Sequence, residues 1–140
     1  MTPGSAIAVA FNAAGVLLIA GFGVIYFTRK EFMSYHAVAV GARWLDLDAR
    51  IRVLLLAFMR ATGGLCFAVV FLELVLLYFG LQHGLPWALR AASIGGLLVT
   101  CALVAGMTLV SRHTEARPPW RLAAVGSVLF LGGLCASVLM

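Results

Sequence analysis

Residues 51–79 read IRVLLLAFMRATGGLCFAVVFLELVLLYF. No proline interrupts the run, and beyond Arg52 at its edge the only charged residues are Arg60 and Glu73. An α-helix rises about 1.5 Å per residue and the hydrocarbon core of a bilayer is about 30 Å thick, so about 20 apolar residues cross it. Lipid offers no hydrogen bonds to a backbone, so a run of this kind must satisfy its own as a helix. The stretch is therefore read as a transmembrane helix.

Working outward, three more runs have the same character: residues 6–27, 87–110 and 122–139. The expected fold is all-α, an integral membrane bundle of four transmembrane helices forming one membrane domain over residues 1–140. Composition agrees, with 64% hydrophobic residues, 11% charged and a mean hydropathy of +1.09. Soluble domains hold about 45–50% apolar and about 25% charged residues, and a soluble chain this short could not hide so much apolar surface. The first run has no Lys or Arg before it and exceeds the apolar region of about 7–15 residues in a cleaved signal, so it is read as a retained helix.

The junctions support these spans. Asp46 or Asp48 can cap the second helix. Gly84 and Pro86 break the chain before the third, and Pro118 and Pro119 precede the fourth. Trp44, Trp87 and Trp120 each adjoin a span end, where indoles favour the membrane interface. The longest connection follows the first span. Its segment Phe32–Leu47 reads either as a short interfacial helix at headgroup level or as a connector packed on the bundle base.

The net charge of +5 does not indicate nucleic acid, because the ten Lys and Arg residues cluster at the ends of apolar runs. That pattern fits topology signals and anionic headgroups. The first loop carries Arg29, Lys30, Arg43, Arg50 and Arg52, and the third carries Arg112, Arg117 and Arg121. The second has Arg90 at its edge. This asymmetry is expected to place loops one and three in the cytoplasm and both termini outside.

Charge within a span marks a functional candidate, since it costs about 2.5–3.5 kcal/mol at the bilayer centre on insertion scales. Arg60 and Glu73 lie roughly 20 Å apart along the helix axis and are not natural partners. Arg60 can snorkel toward the headgroups, serving as an anchor or as a ligand contact. Glu73 is too short for that. It shares a face with Thr62, Cys66 and Val69, expected to turn toward protein. Matching depths across antiparallel helices brings Asn12, Glu73, Ser93 and Ser137 to one level, a hypothetical polar cluster in the outer half of the bundle. Such a cluster could lock the helices or handle a proton or solute. Ser93, Gly96 and Thr100, with Gly126 and Gly133, offer close helix contacts inside the bundle or between copies.

At the cytoplasmic interface, Tyr35, His36 and Arg43, with Arg60, could make a headgroup-binding patch, or simply an interface segment. Cys66, Cys101 and Cys135 lie in apolar runs outside any CxxC pattern and read as inert core residues. No metal site and no cofactor are expected: His36, His83 and His113 fall at span ends, and no phosphate loop, HExxH or nucleophile elbow is present.

The residues Phe32-Met33-Ser34-Tyr35-His36, Gly41, Trp44, Leu47, Leu54-Leu55-Leu56 and Met59-Arg60 form a recognisable set. Pro86-Trp87-Ala88-Leu89 and Arg112-His113-Thr114 leading to Pro118-Pro119-Trp120 extend it. Over about residues 20–122 the chain resembles a group of small bacterial four-helix membrane proteins that carries no assigned activity. The resemblance implies an inner-membrane setting and four helices, and no catalytic residue.

The function expected from sequence is non-enzymatic: an accessory or structural subunit acting through helix–helix contacts, with the bilayer and a membrane-protein partner or a second copy as its partners. The alternative is an oligomeric transporter or channel for an ion, proton or small solute, using Glu73 and Asn12. A third reading is a lipid- or quinone-binding membrane enzyme using Tyr35, His36 and Arg43.

Overall fold

The computed structural model describes residues 3–139, with Pro3 described by its backbone alone. Five α-helices follow one another: α1 (Pro3–Thr28), α2 (Ser34–Val40), α3 (Ala49–Gln82), α4 (Pro86–His113) and α5 (Trp120–Val138), with a 3₁₀ turn at Trp44–Asp46. Helix accounts for 85% of the described residues, and no strand occurs among them. Helices α1, α3, α4 and α5 are each long and apolar enough to cross a membrane. They match the four expected spans and extend them by up to three residues at most ends, because caps and interface residues continue the helices past the apolar runs.

The order of packing follows from the interior stripes. In α1 the buried positions are Ala8, Asn12, Gly15, Val16, Ile19 and Gly23, and in α5 they are Gly126, Phe130, Gly133 and Ser137. Helix α3 buries Met59, Gly63, Cys66, Glu73, Leu77 and Gly80. These spacings, mostly three and four, put each set on one face, the pattern of antiparallel bundles. Helix α1 packs between α3 and α5, and α4 closes the ring between α5 and α3.

Small residues decide how closely the helices approach. An added Cβ at Gly63 would lie 2.8 Å from Gly23 O and from Phe27 N, so α1 and α3 cross backbone against backbone there. The Phe130 ring is fully buried and fills the centre. A Cβ at Gly96 would come within 2.1 Å of it, and one at Gly15 within 2.6 Å. Gly126 receives Thr100, and Gly133 receives Asn12. The small positions expected either inside the bundle or between copies are thus used inside it.

The ends differ. At one end α3 turns directly into α4 through His83–Leu85, with Gly84 at φ 59°. There the Arg90 guanidinium donates from Nε and Nη2 to Ser137 O, both at 3.4 Å, answering the free carbonyls and negative dipole end of α5. At the other, basic end α3 overshoots. With Gly63 level with Gly23, α3 continues to Ala49 while α1 stops at Thr28, an overhang of roughly 14 Å at helical rise. Asp48 caps it, accepting from Arg50 N at 2.8 Å.

Helix α2 lies beside this overhang, so the first connection does contain a short helix. Met33 N donates to His36 Nδ1 at 3.3 Å at its start. Gly41, at φ 72°, ends it in a left-handed turn, with Ala42 N donating to Ala37 O at 3.3 Å. Phe32 is buried edge-on to Trp44, ring centroids 5.0 Å apart, and folds the connection back on itself.

Cys66 is buried, but Cys101 and Cys135 lie on the outer face. The expectation of three core cysteines is corrected for these two. A thiol is apolar enough to face lipid, so membership of an apolar run does not distinguish inside from outside in a membrane helix.

Candidate functional site

The four residues of the expected polar cluster are all interior. Asn12, Ser93 and Ser137 have no exposed surface, and Glu73 is 2% exposed. Two of them meet. Asn12 Nδ2 donates to Ser93 Oγ at 2.9 Å and to Ala8 O at 2.8 Å. Ser93 Oγ also lies within donating distance of Asn12 Oδ1, at 3.0 Å, and of Leu89 O, at 3.0 Å. The absent side chain at Gly133 makes room for this amide. Ser137 turns back on its own helix, its Oγ donating to Leu134 O at 2.7 Å. Its carbonyl instead ties α5 to Arg90.

Glu73 sits on the seam between α3 and α4, with Oε1 over Gly95, where an added Cβ would be 2.8 Å away. Oε2 is buried without a hydrogen-bond partner. Glu73 therefore occupies a notch at Gly95, two residues beyond Ser93 along α4, and makes no hydrogen bond to Asn12 or Ser93. A buried carboxyl oxygen left unpaired is costly in a low-dielectric setting, and it is the one buried side-chain polar atom so placed among the described residues.

The residues expected at the basic end divide. Tyr35 and His36 come together with a residue that the sequence reading missed, Tyr26 in the last turn of α1. Tyr26 Oη and Tyr35 Oη are 2.5 Å apart, and His36 Nε2 is 3.5 Å from Tyr26 Oη. The rings of Tyr35 and His36 are 4.2 Å apart, and Phe22 stacks on Tyr26 at 4.2 Å. Arg43 does not join them. Its guanidinium pairs with Asp46, Nε to Oδ2 at 2.8 Å and Nη2 to Oδ1 at 3.2 Å, on the exposed surface. That pairing raises its pKa. Arg60 is exposed on the outside of α3.

The hydrogen bonds fix the His36 tautomer by inference. Nδ1 accepts from Met33 N, so the ring proton of the neutral form resides on Nε2, facing Tyr26. Burial pushes the His36 pKa below the ordinary imidazole value. Burial also pushes Tyr35 above the ordinary phenol value, against opposing contributions from its bond to Tyr26 and from the charge of Arg29. Both groups are therefore neutral hydrogen-bonding partners near pH 7.

Two cavities flank this group. One, of 230 Å³, lies between α2 and the α3 overhang, bounded by Phe32, Ala39, Leu55 and Phe58. The other, of 200 Å³, lies between α3 and α4, bounded by Thr62, Ala102 and Gly106. Tyr26, His36 and Thr62 line both. A larger concavity of 1070 Å³ follows the α4–α5 connection past Arg117 and Arg121. It is bounded mainly by that exposed loop and gathers no cluster of functional side chains.

The sequence carried only a faint trace of Tyr26. A tyrosine at a span end normally reads as an interface residue, and its meeting with Tyr35 depends on the tight turn at residues 29–33. Among the described residues no three His, Cys, Asp or Glu side chains come together as a metal site would require. In comparisons with known proteins, no family model, curated protein or solved structure matches the chain. The likeness drawn from the loop and proline motifs therefore contributes nothing to function beyond the expectation already stated.

Proposed function

We propose that the chain is a non-enzymatic, multi-pass subunit of a bacterial inner membrane, acting through lateral helix contacts with a partner protein or a second copy. One observation carries this reading: the bundle centre is closed by packing, and Glu73 Oε2 is the one buried side-chain polar atom left unpaired among the described residues. Asn12 and Ser93 answer each other, and Phe130 fills the bundle centre against Gly15 and Gly96. A single copy then has no path through its axis, and its remaining means of action is its outer surface. In this proposal both termini lie outside and the basic connections lie in the cytoplasm. Arg90, the cation that departs from this charge asymmetry, is engaged by the α5 carbonyl end.

Purification in mild detergent followed by mass spectrometry tests the proposal. A partner or a second copy should be retained in fixed proportion, and Glu73→Gln should retain it equally. A homogeneous monomer with no retained protein would refute it.

A second reading, an oligomeric proton or solute transporter, draws on the unpaired Glu73 Oε2. It predicts that proteoliposomes of the chain show a flux and that Glu73→Gln abolishes it while leaving assembly intact.

A further inference from the structure

The hydroxyls of Tyr26 and Tyr35 and the His36 Nε2–H supply three hydrogens. With Nδ1 occupied by Met33 N, Nε2–H points to Tyr26 Oη. One tyrosine hydroxyl then donates to the other. Whichever direction that bond takes, one O–H is left over, and no hydrogen bond to another described residue consumes it. The group therefore presents one neutral donor to whatever occupies the cavities beside it.

The surroundings restrict what can accept it. Neither cavity is lined by a charged side chain, so an anionic head would be desolvated there without a cation to answer it. The walls are aromatic and aliphatic: Phe22 stacks on Tyr26, and Phe32 and Phe58 close the α2 side. Together the two cavities reach the lower part of the usual range for small-molecule sites, about 300–1,000 Å³.

The route in is lateral. Helices α3 and α4 touch near their connection, where Leu89 covers Gly80 and Glu73 lies over Gly95. Farther along, Thr62 and Gly106 border an open groove, and a Cβ at Gly106 would meet nothing within 4 Å. That groove runs between two membrane-length helices, so an apolar tail can lie in it while its head sits against the tyrosines.

We propose that the groove between α3 and α4 is a binding site for a membrane quinone, a flat neutral ring that accepts a hydrogen bond from the Tyr26–Tyr35 pair through a carbonyl oxygen and lays its apolar tail along α4. The site is independent of whether the chain is an accessory subunit, and no redox step is assigned to it.

The test uses the full chain in nanodiscs of phosphatidylcholine, titrated with a decyl-substituted benzoquinone and read by tryptophan quenching. Wild type should show saturable quenching. Gly106→Leu, which fills the groove, should weaken it at least about tenfold. Gly21→Leu, whose added side chain also enters open space but outside the groove, should leave it unchanged. Should Gly106→Leu fail to fold, Tyr26→Phe/Tyr35→Phe carries the same expectation. Quenching that rises without saturation, or that is equal in wild type and the groove variant, would overturn the proposal. Displacement of the quinone by phosphatidylglycerol at constant total lipid would also overturn it, in favour of an anionic lipid.

Discussion

Asn12 on α1 and Ser93 on α4 close on each other across the bundle, with the Asn12 amide nitrogen 2.9 Å and its oxygen 3.0 Å from Ser93 Oγ. An amide isolated in an apolar interior is costly, and here each polar group removes the cost of the other. Interhelical hydrogen bonds in membranes are nonetheless worth only about 0.6 kcal/mol on average, with about 1.7 at the high end. Ser93→Ala is therefore expected to destabilise the bundle by about 1 kcal/mol, because Asn12 keeps its bond to Ala8 O. Asn12→Ala should cost more, since it also empties the space over Gly133. Reversible unfolding in mixed micelles measures both, and a stabilised Asn12→Ala would show that the amide is not a lock.

The central ring is held by absence. Phe130 occupies the room left by Gly15 and Gly96, and a methyl group at Gly96 would overlap it. Overpacking of this kind costs about 1–3 kcal/mol. Gly96→Ala should fall in that range, and Phe130→Leu should recover part of the loss, because the shorter side chain vacates the space that the methyl needs. The double-mutant cycle in the same unfolding assay reads the coupling. Additive effects would mean that the ring moves aside freely.

The α1–α3 crossing makes a sharper contrast between adjacent residues. A Cβ at Gly63 meets Gly23 O and Phe27 N, which are backbone atoms and cannot swing away. A Cβ at Gly64 meets nothing within 4 Å. Gly63→Ala is expected to separate α1 from α3 and to lower stability by at least about 1–3 kcal/mol. Gly64→Ala should be neutral or slightly stabilising, since alanine favours helix over glycine by about 1 kcal/mol. Equal effects of the two would refute the backbone contact.

Much of this architecture is legible in the sequence, and what is not has a definite cause. Hydropathy gives the spans because lipid enforces helices of a minimum apolar length. Depth matching places Asn12 and Ser93 at one level because spans one and three start from the same side and every helix has the same rise per residue. Rotation is harder. All faces of a membrane helix are apolar, so in residues 122–139 only the spacing of Gly126, Gly133 and Ser137 hints at the inward face that Phe130 shares, and nothing in Cys135 itself marks it as outward. Charge misleads in the opposite way. Arg43 follows Tyr35 and His36 closely in sequence, but Asp46 three residues later claims its guanidinium, and the uncharged Tyr26 takes the place it was expected to fill.

The His36 ring gives a pH dependence whose sign follows from its bonds. Folded His36 accepts from Met33 N through Nδ1 and is less basic than free imidazole because it is buried. When α2 detaches, the ring regains an ordinary pKa of about 6.5. Between the depressed folded value and about 6.5 the detached state binds more protons, so docking of α2 strengthens as pH rises through that window, weakens as pH falls through it and levels off below. A protonated Nδ1 also cannot accept from Met33 N. Tyr26 and Tyr35, which face the ring, are neutral phenols throughout this range and do not reverse the sign. Hydrogen exchange at the amides of residues 36–40 should therefore accelerate on acidification from pH 7 to 5, after correction for intrinsic exchange. His36→Gln, which keeps an acceptor at this position without titrating there, should flatten the response. An unchanged acid response in His36→Gln would assign the sensitivity to another group.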